Sequence, residues 1–95
     1  MSAYILVDIT ITDPAGYETY KPQAEATIKA FGGRYLVRGG AAEVLEGDWQ
    51  LQRLVLLEFP DAATAKGWLD SDEYRGPRAL RQATSRSNMV LMPGI

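Results

Sequence analysis

Asp8, Arg34, Arg38 and Glu58 are the residues whose types and spacing could do chemistry. Each sits in a stretch that alternates apolar and polar side chains, and counting by twos along Ala3 to Thr12, Arg34 to Arg38 and Leu51 to Phe59 puts all four on one sheet face. Two carboxylates and two guanidinium groups would then converge among leucines. Burial raises a carboxyl pKa, so Asp8 or Glu58 could serve as a general base while Arg38 binds an acidic or carbonyl-bearing small molecule and stabilises its negative charge. Arg34 and Tyr4, on the same face, would touch that ligand. A second reading stands beside the first: the four charges neutralise one another as a buried network that sets the register of a subunit interface.

Much other chemistry is excluded by composition. The 95 residues contain no histidine and no cysteine, which removes Ser-His pairs, thiol nucleophiles, disulfides and the usual zinc and haem ligands. Asp70-Ser71-Asp72 opens like a calcium loop, but Arg75 stands where that loop needs glycine. The glycine pairs Gly32-Gly33 and Gly39-Gly40 lack the spacing of a phosphate loop or a dinucleotide fingerprint, and no Gly-x-Ser-x-Gly elbow surrounds Ser85 or Ser87. No cofactor or metal is implied. Ten basic against twelve acidic residues leave a net charge of −2, which disfavours nucleic acid as a partner. Arg75, Arg78 and Arg81 recur every three residues, with Arg86 following; they could gather anions near a cavity entrance, but a solvated helix face is the favoured reading. The first apolar run is only a strand long, so neither a signal peptide nor a membrane span is expected and the cytoplasm is the default location.

The elements that must position these side chains follow from period and punctuation. Ala3 to Thr12 is a strand. Asp13-Pro14 caps a helix that runs to Gly32, with Tyr17, Tyr20, Ala24, Thr27, Ile28 and Phe31 on its apolar side and, at Pro22, either a kink or a short first turn followed by a restart at Lys21. Arg34 to Arg38 is a strand between glycine pairs, and Glu43 to Glu46 reads as a short hairpin arm before the turn at Gly47-Asp48. Leu51 to Phe59 is the third strand. Asp61 caps a second helix that buries Ala62, Ala65, Trp68 and Leu69, Ser71 caps a further segment over Asp72 to Ala83, and Ser87 to Met92 is the last strand. Tyr74, Ala79, Leu80 and Ala83 are that segment's candidates for burial. Trp68 and Tyr74 are candidates for a cavity rim, and Trp49 for a subunit contact.

The order describes one α+β domain over residues 1–95, a ferredoxin-like βαββαβ unit with a four-stranded antiparallel sheet and both helical layers on one face. Tyr4, Leu6, Leu36, Leu54 and Leu56 are left on the other face, an apolar patch that a second copy would cover. Four stretches, Thr12-Asp13-Pro14 to Tyr17-Glu18-Thr19-Tyr20, Gly32 to Gly40, Leu57-Glu58-Phe59-Pro60 and Trp68 to Tyr74, resemble the domain-of-unknown-function family 1330. The resemblance implies membership of the dimeric α+β barrel superfamily, hence a homodimer with a small-molecule cavity between two sheets and no assigned role. It also implies an alternative, a cofactor-independent monooxygenase- or isomerase-like enzyme using a carboxylate base and an arginine. Trp68-Leu69 departs from the family's usual Tyr or Trp-Tyr pair at the end of the second helix.

Overall fold

Alternation in Ala3–Ile11 becomes strand β1: Ala3, Ile5, Val7 and Ile9 are buried, and the residues between them are half-exposed. The computed structural model describes residues 1–95. Helix α1 (Pro14–Ala30) starts where the Asp13 carboxylate accepts the Gly16 N–H at 3.2 Å and Pro14 occupies the first turn. It is one uninterrupted helix rather than two pieces. Pro22 is exposed, so the missing hydrogen bond lies on the wet side, and Tyr17, Tyr20, Ala24 and Ile28 form the buried stripe. Gly32, at φ 75°, and the Gly33 N–H, bonded to the Ile28 carbonyl at 2.9 Å, end the helix.

Strands β2 (Arg34–Arg38) and β3 (Arg53–Phe59) follow, then α2 (Ala62–Leu69) and α3 (Asp72–Thr84), capped by Asp61 and Ser71, and finally β4 (Ser85–Pro93). The sheet order is β2-β3-β1-β4, antiparallel throughout, with the helices on one face. This is the ferredoxin-like arrangement. Residues 39–52 form an exposed connection without the expected strand at Glu43 to Glu46, and β3 begins at Arg53, two residues later than alternation suggests. No helix is long and apolar enough to cross a membrane.

One irregularity moves a functional candidate. Tyr35 pairs with Leu57 but Val37 pairs with Leu56, so Leu36 is an extra residue, a β-bulge. Every side chain beyond a one-residue insertion changes face. Arg38 therefore pairs with Val55, a helix-facing residue, and Val37 joins the open face, the reverse of what simple parity gives for both. Arg38 accordingly ion-pairs with Glu25 of α1 at 3.0 Å and lies 4.3 Å from the centre of the Tyr35 ring.

The core between sheet and helices is held by a run of aromatic rings. Phe59 meets Trp68 at 5.4 Å, Trp68 meets Tyr74 at 4.2 Å, Tyr74 meets Tyr20 at 6.4 Å, and Tyr20 meets Tyr17 at 5.2 Å. The Trp68 indole N–H donates to Thr27 Oγ1 at 3.0 Å, and the Thr84 carbonyl at the end of α3 accepts from both Thr12 and Asp13. The core tolerates little added volume beside Phe59. A Cβ on Gly33 would stand 2.7 Å from Phe59 Cε1 and 3.0 Å from Ile28 Cγ2, whereas one on Gly67 of α2 meets nothing. Gly33→Ala should therefore cost about 1–3 kcal/mol by overpacking, while Gly67→Ala should add about 0.5–1 kcal/mol by helix propensity. Thermal melts of the two variants should move in opposite directions from the parent.

Candidate functional site

On the open sheet face, the four charges expected to converge do not meet. Glu58 sits opposite Tyr4 in the register and accepts from Arg34 Nε at 2.6 Å. That hydrogen bond lowers its pKa, Ser2 and Tyr4 adding to the effect, so its carboxyl is not raised by burial as a general base requires. Asp8 lies four residues further along β1, roughly 13 Å away at strand rise. Its oxygens are taken by the Trp49 indole N–H and the Gln52 backbone N–H, each at 3.2 Å. Arg38 is on the other face altogether. Asp8 thus pins the exposed 39–52 connection, and Glu58 with Arg34 and Tyr4 forms a separate group at the far end.

The helix-facing side carries a different constellation. An internal cavity of ≈ 30 Å³ lies between α1, α3 and the sheet, walled by aromatic and aliphatic residues and by four basic side chains, Lys21, Arg38, Arg53 and Arg81, with no carboxylate. Trp68 and Tyr74 line it, fully buried, so they border this cavity rather than one between two sheets. Tyr20 and Tyr74 bring their hydroxyls to 2.5 Å. Arg81 is 6% exposed, and its Nε and Nη1 have no hydrogen-bond partner within the protein. Arg53 Nε is likewise buried and unpartnered. The Arg53 guanidinium lies across Gly39, whose missing side chain leaves the room.

A second opening adjoins the first. Ile28, Tyr35 and Arg38 line both the inner cavity and a groove of ≈ 300 Å³ between α1 and β2, and the Glu25–Arg38 ion pair links the two elements there. Burial pushes the phenols of Tyr17, Tyr20 and Tyr74 upward, against the opposing pull of Arg53 on Tyr17 and of Arg81 on all three. Tyr35 is pushed up to about 12, chiefly by burial, with Arg38 opposing. At neutral pH these groups are hydrogen-bond donors, not bases. The chemistry on offer is recognition of negative charge by guanidinium and phenol donors.

Arg53 was not legible as a site residue, and Arg81 was noted only within a run that could gather anions at a cavity entrance. The threefold recurrence of Arg75, Arg78 and Arg81 suggested a wet helix face, yet only Arg75 fits it; Ala79 and Ala83 are exposed, while Tyr74, Arg81 and Thr84 form the inner stripe. The signal was present in spacing: Arg81 is two helical turns from Tyr74 and therefore shares its face.

A model of a domain of unknown function, DUF1330, matches residues 2–95. The chain belongs to the DUF1330 family. No curated protein matches it. Solved structures similar to this DUF1330 chain include a protein of unknown function from Rhodopseudomonas palustris, at 17% identity and TM-score 0.80, covering 99% of this chain and 82% of that one. The cofactor-independent oxygenase SnoaB from Streptomyces nogalater is similar at 13% identity and TM-score 0.65, covering 99% and 93%. A dimeric ferredoxin-like protein of unknown function from a Jannaschia species is similar at 14% identity and TM-score 0.67, covering 99% and 100%. At such identities the likeness establishes the fold of this DUF1330 domain.

The tyrosine cluster has a pH signature. A phenol whose folded pKa lies above the ordinary value of about 10 stabilises the fold fully below pH 10, and that contribution is lost as pH rises through the folded pKa, near 12 for Tyr35. Absorbance of tyrosinate at alkaline pH should therefore lag behind that of free tyrosine and then rise together with loss of structure. Tyr20→Phe should reduce the lagging fraction. Ionisation of all tyrosines near pH 10 in the folded protein would contradict the buried cluster.

Proposed function

We propose that this DUF1330 protein is a homodimer that binds a small organic anion in the cleft between its helices and its sheet. The observation that carries the reading is Arg81: a sealed guanidinium, short of acceptors, facing a cavity with four cations and no acid. An unpaired buried cation opposes folding, and a ligand carboxylate would remove that penalty. A cavity of ≈ 30 Å³ suits a carboxylate-sized head, and the adjoining α1–β2 groove of ≈ 300 Å³ suits the body of the ligand. Arg38 stands where the two meet, which gives it a ligand-binding role different from the one parity suggested.

Phenylacetate is a suitable probe, read by the fluorescence of Trp68 in a Trp49→Phe background. Arg81→Gln and Arg53→Gln should each weaken it at least about tenfold, the weight of one charge-assisted hydrogen bond. Arg81→Met should meanwhile leave thermal stability unchanged or raised, because it removes a buried charge without stranding a partner. A large loss of stability with no change in binding would make Arg81 structural and overturn the reading.

The homodimer rests on the open face, where Leu6, Leu36, Val37, Leu54, Leu56, Val90 and Met92 form an apolar sheet surface, and on the dimeric relative of the same fold. Sedimentation at micromolar concentration should give a dimer for the parent and a folded monomer for Leu56→Glu. A parent that sediments as a monomer would dismiss it.

A catalytic reading draws on the Tyr20–Tyr74 pair. With both phenols kept neutral beside Arg81, the one that accepts its neighbour's hydrogen bond is free to donate its own to an enolate or related oxyanion, as a cofactor-independent oxygenase or isomerase needs. The carboxylate base in that scheme would have to come from outside this cavity, since Asp8 and Glu58 belong to the opposite sheet face.

A further inference from the structure

Arg81 also walls a second depression, where α2 and α3 meet β1 and β4. There α2 and α3 leave the helix-facing side of β4 partly uncovered, and a groove of ≈ 250 Å³ is lined by Lys66, Arg78, Arg81 and Ser87 together with apolar residues including Leu69 and Leu91. No acidic residue lines it. Lys66 is exposed and makes no ion pair. Arg78 gives Nη1 to the Leu69 carbonyl and to Asp70, both at 3.2 Å, but its buried Nε has no partner. Three cations from two helices thus border one apolar trough, and one of them is more than nine-tenths buried with two unpartnered nitrogens. A solvated charge stripe would turn such groups outward into water; here they edge the uncovered part of the core.

We infer that this groove is a second ligand site, taking a short-chain fatty carboxylate whose head lies among Lys66, Arg78 and Arg81 and whose tail lies on Leu69 and Leu91. The chemistry selects for both parts. A bare inorganic anion meets the cations but leaves the apolar wall wet, and a neutral alcohol of the same chain covers the wall but leaves the guanidinium nitrogens unmatched. The groove shares Arg81 and Met89 with the inner cavity, so ligands in the two should compete for the one cation, Arg81.

The test titrates hexanoate, 1-hexanol and inorganic phosphate into the full chain, reading the methyl resonances of Leu69 and Leu91. Hexanoate should shift both, at least about tenfold more tightly than either control. Lys66→Gln, at an exposed position that does not line the inner cavity, should weaken hexanoate severalfold, and Arg78→Gln should weaken it further. Arg53→Gln, which lines only the inner cavity, should leave it unchanged. Binding that survives Lys66→Gln and Arg78→Gln together, or that tracks Arg53→Gln instead, would overturn the inference. Loss of phenylacetate binding with hexanoate binding intact would sink only the inner-cavity reading. Should Arg78→Gln fail to fold, Lys66→Gln with hexanol as the comparison decides the matter alone.

Discussion

Trp68 is the contact on which the helix layer depends. Its ring stacks at 4.2 Å on Tyr74 of α3 and lies at 5.4 Å from Phe59 of β3, while its N–H is taken by Thr27 of α1. A single side chain of α2 therefore fixes both other helices and a central strand. Large rigid rings bury much apolar area for little conformational entropy, but they tile poorly at their edges. The residual space beyond Tyr74 and Tyr20 is the inner cavity, and the phenol hydroxyls at the ring tips give it polar character without charge. The cavity is a consequence of building the core from aromatics.

Two backbone features then decide which charges reach that space. The bulge at Leu36 turns Arg38 toward α1, and the bare backbone of Gly39 gives the Arg53 guanidinium a surface to lie on. With Arg81 from α3, these bring cations from three elements to one cavity, while Glu18 and Glu25, which ion-pair with Lys21 and Arg38, do not line it. A fold selected for stability alone would place a carboxylate beside Arg81 or an apolar residue in its stead. A local conflict of this kind, in a chain whose other rules agree, is where function is to be sought.

The strand and helix pattern was legible because period and punctuation agreed: β1 alternates without exception, and Asp13, Asp61 and Ser71 each cap the helix they precede. The placement of Arg38 was not, because alternation carries no mark of an inserted residue and Tyr-Leu-Val is acceptable on either face. Glu43 to Glu46 resembled a strand by composition, yet with no neighbour to pair with it remains exposed connection. Arg81 was hidden by its type, since arginine is seldom fully buried and its recurrence with Arg75 and Arg78 suggests water. Asp8 and Glu58 were placed on the right face, but parity says nothing about distance along it, and that distance separates them.

The two faces of the sheet are thereby given different work. The open face holds its charges at its margins, Glu58 with Arg34 at one end and Asp8 under the 39–52 connection at the other, with leucines between. A twin pressed there would bury the leucines while leaving both ion groups near the rim, where they can fix register without the desolvation cost of a central pair. The inner cavity is lined only by residues of the helix side, whereas the outer groove shares Val90 with the open face. The strands are the only common element: each residue of β1 and β3 that lines the cavity is flanked by residues of the opposite face. Occupancy of the inner cleft can influence a twin only through the small twist of these strands, whereas the outer groove reaches the twin's side of the sheet at Val90.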